Sequence, residues 1–381
     1  MIPYGRQTIS PQDVEAVAEV LSSDFLTQGP QVPAFESEMA AYCGTGHACA
    51  ANSATSALHL ACVSLGLGAG DRLWTSPITF VSSANCALHC GAEVDFVDID
   101  PDTGNMSAVR LEEKLSRAKA DGRLPKIVMP VHLAGQSCDM RTIHALSRQY
   151  GFRIIEDASH ATGGRYLEEA IGSCKYSDIA VFSFHPVKII TTGEGGMALT
   201  DDCELAEQMR LLRAHGVTRD EEKMTHAPDG LWYYQQIALG FNYRMTDIQA
   251  ALGRSQLRRI DELVARRRQL AARYDALLEA LPVTPLRQHP DVQSSFHLYV
   301  VRVDAQQRDG VFASLRDADI GVNIHYIPVH TQPYYRQRGF NEGDFPAAEA
   351  YYREALSLPL YPALDETQQD TVVTALREAL S

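Results

Sequence analysis

The 381-residue sequence predicts an α/β fold: a mainly parallel sheet with helices on both faces, followed by a smaller C-terminal α+β domain. Three observations carry this reading. Apolar strand-like runs alternate with helical periodicity from Ala50 to about Thr200. A capping-box signal at Thr246 opens a long helical stretch, and shorter strand and helix patterns mix beyond it. The expected division is a large domain with an N-terminal segment over residues 1–250, then a linking helix and small domain over 251–381.

The elements follow in order. Ser10-Pro11-Gln12-Asp13 supplies an N-cap, a first-turn proline and an acid at N3, ahead of Val14, Val17, Val20 and Leu21 at helical spacing. Phe25-Leu26-Thr27-Gln28-Gly29-Pro30 reads as an ordered loop closed by a Gly-Pro breaker, the kind of segment that touches ligands. A helix is expected near Ala54 to Leu65, and the Gly66-Leu67-Gly68-Ala69-Gly70 run after it reads as a C-cap and turn. Those glycines follow a helix rather than a strand and lack a third spaced glycine, so they do not make a nicotinamide fingerprint. Strands are expected at Val94 to Ile99, Ile127 to His132, Arg153 to Glu156 and Ile179 to Phe184, with a helix at Met140 to Tyr150. In such sheets ligands sit beyond the carboxyl ends of the strands. Ile248, Leu252, Leu257, Ile260, Leu263 and Val264 mark the apolar stripe of the long helical stretch, which Pro282 ends. A strand at Leu298 to Val303, a helix around Val311 to Asp317, the segment Asn323 to Pro328 and a terminal helix after Thr367 complete the chain.

Composition narrows the function. Lys and Arg number 34 against 48 Asp and Glu, a formal charge of −14 that disfavours nucleic-acid and anionic membrane partners. No run approaches a membrane span, and Met1 to Arg6 lacks the basic start and apolar stretch of a secretory signal, so the cytoplasm is the expected location. The eight cysteines contain no C-x-x-C pair and none follows Cys203, which fits reduced structural thiols. His325-Tyr326-Ile327-Pro328-Val329-His330 lacks a third ligand and helical i, i+4 spacing, so no metal site is expected.

The chemistry concentrates at Ile154-Ile155-Glu156-Asp157-Ala158-Ser159-His160 and at Val181 through Ser183 and Lys188 to Glu194-Gly195-Gly196. An Asp ending one strand and a Lys after the next is the arrangement that holds pyridoxal phosphate. Asp157 would keep the pyridine nitrogen protonated; Lys188 would form the Schiff base and then move protons. Taken singly, an Asp at a strand end is a cap and a loop Lys is a solvated charge. Ser183, suited to a phosphate oxygen, and the glycines after Lys188, which permit close backbone approach, shift the balance. Asn52-Ser53-Ala54-Thr55-Ser56-Ala57-Leu58 offers amides and hydroxyls at a helix start, an anion cradle or simple capping by Ser53. Phe80 ends a strand-like run and is either a core residue or a ring that stacks on a pyridine.

These segments, with Leu26 to Gly29, Pro77 to Phe80 and Gly240-Phe241-Asn242-Tyr243-Arg244-Met245, resemble the nucleotide-sugar aminotransferases of the DegT/DnrJ/EryC1/StrS type over essentially the whole chain. The resemblance implies a pyridoxal-phosphate enzyme of fold type I, with the cofactor in the large domain. It implies Lys188 as the Schiff-base lysine, Asp157 as the pyridinium partner, His160 near the cofactor hydroxyl, Phe80 as the stacking ring, and Thr55, Ser56 and Ser183 on the phosphate. Asn242 is implied to reach the phosphate of a neighbouring subunit, making a homodimer with shared sites. Tyr4, Leu26, Thr27, Glu194, Ile324, His325 and Tyr326 are implied to line the sugar-nucleotide pocket. Arg244 either offsets the carboxylate of the amino donor or pairs with a nearby acid. His160 departs from the Gln usual in the family, and Ala54-Thr55 from the frequent Gly-Thr.

Within the family the chain is similar to the transaminases of pseudaminic-acid biosynthesis. That likeness rests on Asn52 to Leu58, Ser183 to Thr192, and Asp229-Gly230-Leu231-Trp232-Tyr233-Tyr234. The implied reaction moves an amino group from L-glutamate to C4 of a UDP-linked 4-keto-6-deoxy-N-acetylhexosamine. Relatives acting on UDP-4-keto-arabinose share the Ser-Phe-His run and define the alternative. A sugar dehydrase of the same fold would lack Lys188, and a non-catalytic nucleotide-sugar-binding regulator would show decay of Asp157, Ser183 or Lys188; all three are present.

Overall fold

The computed structural model describes residues 1–381. The N-terminal capping box forms as its sequence directs. Ser10 Oγ accepts the Asp13 amide, the Asp13 carboxylate accepts the Ser10 amide, and α1 spans Pro11–Leu21. Helix α2 (Gln31–Cys43) comes next, a helix absent from the sequence reading. It buries Val32, Phe35, Met39, Ala40 and Cys43, but Pro30 and Pro33 at its start read as breakers.

The large sheet is then laid down. β1 (His47–Ala51) leads to α3 (Ala54–Ser64), β2 (Arg72–Thr75), α4 (Ser82–His89), β3 (Glu93–Phe96), α5 (Ala108–Ala120) and β4 (Ile127–Met129). After these come α6 (Met140–Tyr150), β5 (Arg153–Asp157), β6 (Ile179–Ser183), β7 (Gly196–Thr200) and α7 (Cys203–Arg213). The strand order is β1-β7-β6-β5-β4-β2-β3. The pairs β6-β5, β5-β4, β4-β2 and β2-β3 are parallel, and β7 alone runs against its neighbours β6 and β1. The sheet is therefore mainly parallel, as expected. The strand-like run read as ending at Phe80 is β2, which stops at Thr75, before Pro77, and two further strands escaped the sequence reading altogether. β1 (His-Ala-Cys-Ala-Ala) and β7 (Gly-Met-Ala-Leu-Thr) are too rich in small residues to show β-propensity. The expected strands at 94–99 and 127–132 end earlier, at Phe96 and Met129.

Helices cover both faces. One core cluster packs α3 and α4 on the sheet through Leu58, Ala61, Ala84 and Ala87. On the other face, a second packs α2 through Phe35 and Met39, and a third packs α5 and α6 through Leu111, Leu115 and Ile143. Gly66 and Gly70, both at positive φ, make the turn out of α3.

Thr246 and Gln249 form the second capping box, but the helical stretch behind it is not one helix. It breaks at Arg258-Arg259 into α8 (Asp247–Leu257) and α9 (Ile260–Leu278). Arg259 takes non-helical angles while its guanidinium reaches the buried Asp13 carboxylate at 2.9 Å, which ties the break to α1. Along α9, Ile260, Leu263 and Val264 join the large-sheet core, whereas Leu270, Ala271, Tyr274 and Leu278 join a separate core. That second core belongs to a three-stranded sheet built on Tyr299–Arg302, flanked by Thr284–Pro285 and Ala355–Leu358, and to helices Arg308–Asp317 and Glu366–Ala379. All eight cysteines are free thiols, with only Cys203 exposed. No helix is long and apolar enough to cross a membrane.

Candidate active site

Parallel strands place their carboxyl ends together, and here β5 and β6 end side by side, with Asp157 registered on Val181. Asp157 and Ser183, the last residues of these strands, are both buried. The Asp157 carboxylate is held from two sides. Oδ2 accepts from Ser83 Oγ at 2.6 Å, and Oδ1 accepts from the Ser159 amide at 3.1 Å.

The turn from Thr79 to Ser83 leads into α4. It places Phe80 59% exposed, an unusual setting for a large aromatic, and 6.4 Å from the ring of Tyr326. Ser82 Oγ lies 2.9 Å from Thr55 Oγ1 on the first turn of α3.

That first turn is an anion cradle in form. Ser53 caps it by accepting the Ser56 amide, and the Ala54 and Thr55 amides have no intrahelical acceptor. The Thr55 hydroxyl is exposed, whereas Ser56 is buried and donates to Asn52 Oδ1 at 2.7 Å. Gly196 opens β7 directly against this turn. A Cβ at Gly196 would meet the Ala54 backbone at 2.5 Å, so only glycine lets strand and turn approach this closely.

Lys188 sits in the loop between β6 and β7, half-buried, with no hydrogen bond or ion pair to its Nζ. Burial lowers its pKa to about 8, against the opposing pull of the Asp157 carboxylate. About a tenth of its population is thus a neutral amine at pH 7, against well under a thousandth for an ordinary lysine.

Histidines and tyrosines close the other side. His160 Nδ1 accepts the Ala134 amide at 3.3 Å, which leaves the proton on Nε2 to be donated to Tyr326 Oη at 2.9 Å. The two rings are stacked at 5.8 Å, and His297 lies 4.4 Å from His160. His325 bonds Ser357 through Nδ1 and packs on Tyr4 at 5.4 Å. Burial first, then the Lys188 charge, pushes His160, His297 and His325 down, His325 to about 3. Ile324 stands beside this group, its amide turned to the Asn323 side chain. His330 instead pairs with Glu349 at 2.9 Å, so the two histidines of that segment point to different partners.

Leu26, Thr27 and Glu194 form a separate, exposed group tied to the start of α8. Leu26 O accepts the Asp247 amide, Thr27 bridges Thr246, and Glu194 O accepts Gln249 Nε2 at 2.7 Å. Asn242 is exposed, its carbonyl 3.5 Å from Asn52 Nδ2. Arg244 is half-buried and pairs with no acid of its own chain. The sequence reading missed Thr79, Ser82, Ser83 and His297. Thr79 was noticed only as a neighbour of Phe80, Ser82 and Ser83 begin a helix that the sequence reading did not expect, and His297 ends no recognisable motif.

The residues present fit pyridoxal phosphate. An unpartnered, partly neutral amine stands near a buried carboxylate, an exposed aromatic face and a helix start with free amides. The DegT/DnrJ/EryC1/StrS aminotransferase family model matches residues 7–377. The chain belongs to this family.

It is 42% identical to the spore coat polysaccharide biosynthesis protein SpsC of Bacillus subtilis, over 99% of this chain and 96% of that one. Among solved structures it is similar to PseC of Helicobacter pylori, an aminotransferase involved in the biosynthesis of pseudaminic acid. The TM-score is 0.90 at 31% identity, over 100% of this chain and 99% of that one. It is equally similar to the sugar aminotransferase Spr1654 of Streptococcus pneumoniae in its PLP form, with TM-score 0.90 and 30% identity over 99% and 98% of the two chains. The DegT/DnrJ/EryC1/StrS protein described here is thus a PLP-dependent sugar aminotransferase of fold type I.

Proposed function

We propose that the enzyme moves an amino group from L-glutamate to C4 of a UDP-linked 4-keto-6-deoxy-N-acetylhexosamine, in a homodimer with shared sites. The observation that carries the amino-transfer chemistry is Lys188, whose amine has no partner and a lowered pKa beside the Asp157 carboxylate. The sugar is suggested by the full-length likeness to the pseudaminic-acid aminotransferase. The higher identity to a spore coat polysaccharide protein favours a second reading, the same C4 amination on another nucleotide-linked keto-sugar, of which UDP-4-keto-arabinose is one.

Pyridoxal phosphate supplies an aldehyde to carry the amino group and a ring that withdraws electrons from the reacting carbon. In this reading Lys188 Nζ would hold the cofactor at rest and, as a free amine, would take the α-proton of glutamate and later deliver a proton to C4 of the sugar. Asp157 would pair with the ring nitrogen and Phe80 would cover a ring face. The Thr55 and Ser183 hydroxyls and the α3 amides would bind the phosphate, joined by Asn242 of the partner subunit; the Ser56 hydroxyl, engaged with Asn52, would act by shaping the cradle. His160 orients the Tyr326 hydroxyl toward the pocket that Tyr4, Ile324 and His325 would line, and Leu26, Thr27 and Glu194, grouped apart from these at the start of α8, would meet the substrate at its outer end. Arg244, free of internal acids, takes a carboxylate of the donor. Binding of the pyrophosphate and uracil holds the ketone in place.

The test is a two-step assay on purified holoenzyme. Glutamate alone should replace the violet-blue absorbance of the bound cofactor with a near-ultraviolet band and release 2-oxoglutarate. UDP-4-keto sugars offered singly should then restore the first spectrum, and the one that does so fastest identifies the acceptor. No chromophore after addition of pyridoxal phosphate would overturn the proposal.

A further inference from the structure

Asp157 receives its hydrogen bond from Ser83, which is itself at the end of a chain of hydroxyls. Thr79 Oγ1 lies 2.7 Å from Ser83 Oγ, and Ser83 Oγ lies 2.6 Å from Asp157 Oδ2. Ser83 is 1% exposed, Thr79 2% and Asp157 4%, so water competes for none of these bonds. An ionised carboxylate only accepts, which sets the direction of the chain: Ser83 gives its proton to Asp157 at 2.6 Å in preference to the Phe80 carbonyl at 3.3 Å, and Thr79 then donates to Ser83. With the Ser159 amide on Oδ1, the carboxylate is gripped on both oxygens and its plane cannot turn. Each oxygen keeps one lone pair for a further donor. The turn that carries this chain also carries Phe80 and, through Ser82, the bond to Thr55.

We propose that Ser83, backed by Thr79, is a positioning residue that orients the Asp157 carboxylate toward the pyridine nitrogen of the cofactor. It locks that contact to the ring-stacking and phosphate-binding contacts made from the same turn. The inference rests on the assignment of Asp157 as the pyridine partner. Ser83 touches neither cofactor nor substrate and acts only through Asp157.

The experiment compares Ser83→Ala, Ser83→Thr, Thr79→Val and Asp157→Asn with the wild-type full chain. It measures the dissociation constant for pyridoxal phosphate, the absorption band of the bound cofactor, and the melting temperature of the cofactor-free protein. Hydrogen bonds to charged groups are strong enough that Ser83→Ala is expected to weaken cofactor binding by about tenfold and to move the band in the direction that Asp157→Asn moves it. Thr79→Val should do the same more weakly, and Ser83→Thr, which keeps the hydroxyl, should restore both readouts. If Ser83→Ala only lowers the melting temperature and leaves affinity and band at wild-type values while Asp157→Asn changes them, Ser83 is a packing residue and the proposal falls. If Asp157→Asn also leaves both unchanged, the assignment of Asp157 falls and takes the proposal with it. Should Ser83→Ala not fold, Thr79→Val decides alone, with unchanged affinity and band overturning the chain.

Discussion

Gly196 and Ala54, 142 positions apart, meet so closely that a single methyl group would separate them. A Cβ on Gly196 would lie 2.5 Å from both the Ala54 nitrogen and its Cα. Neither partner can yield, since one opens a buried strand and the other a helix. Gly196→Ala is expected to destabilise the apo-protein by about 1–3 kcal/mol, the usual range for overpacking, and to reduce cofactor affinity by displacing the α3 amides. Urea unfolding and a pyridoxal phosphate titration check both effects. Unchanged affinity would separate this contact from the phosphate cradle.

Lys188 sets catalytic use against stability. Its folded pKa of about 8 lies below the 10.5 of an ordinary lysine, so between these values the unfolded chain binds the extra proton. Apo-protein stability therefore rises with pH across that window, and the penalty of burying the charge is fully present below it. Lys188→Met should abolish turnover yet raise apo stability at pH 7 by about 1–3 kcal/mol, with the gain vanishing as pH approaches 10.5. Denaturation at pH 7 and pH 10.5 tests this. A variant less stable than wild type at pH 7 would contradict the assignment of burial as the cause.

The buried histidines titrate in the opposite range. His325 is held down to about 3, and His160 and His297 are also lowered, while their unfolded counterparts accept protons near pH 6.5. As pH falls below 6.5 the unfolded state gains protons first, so apo stability falls with it. His325→Gln should reduce the loss between pH 7 and pH 5 by up to about 2 kcal/mol. An identical acid limb in the variant would show that His325 does not contribute.

His160 needs one acceptor and one donor: it accepts from the Ala134 amide and donates to Tyr326. A glutamine side chain has both, and a leucine has neither. His160→Gln should keep turnover within about tenfold of wild type, whereas His160→Leu strands a buried amide and hydroxyl and should lose more, with lower thermal stability. Equal behaviour of the two variants in a glutamate half-reaction would exclude the hydrogen-bond role.

Much of the frame was legible because strong local signals coincide with tertiary need. Ser10, Ser53 and Thr246 each cap the helix their neighbours announce. Asp157 and Ser183 close the strands on which they were expected. β1 and β7 were silent because their small residues are chosen for close approach rather than for β-propensity, as Gly196 shows. The break at Arg259 was invisible because a buried acid 246 positions away, Asp13, decides it. Ser83 was hidden for a similar reason. Serine at a helix start satisfies a local rule, and only the fold reveals that its hydroxyl points to Asp157.

The path of α9 through two cores carries a further consequence. Val264 is rooted in one and Leu270 in the other, less than two turns apart on a single helix without a glycine or proline between them. Between them the buried Arg267 donates to the carbonyls of Phe296, His297 and Leu360, so where the helix passes from one core to the other it is bonded as well as packed, and a change at Arg267 would loosen that passage without touching either apolar cluster.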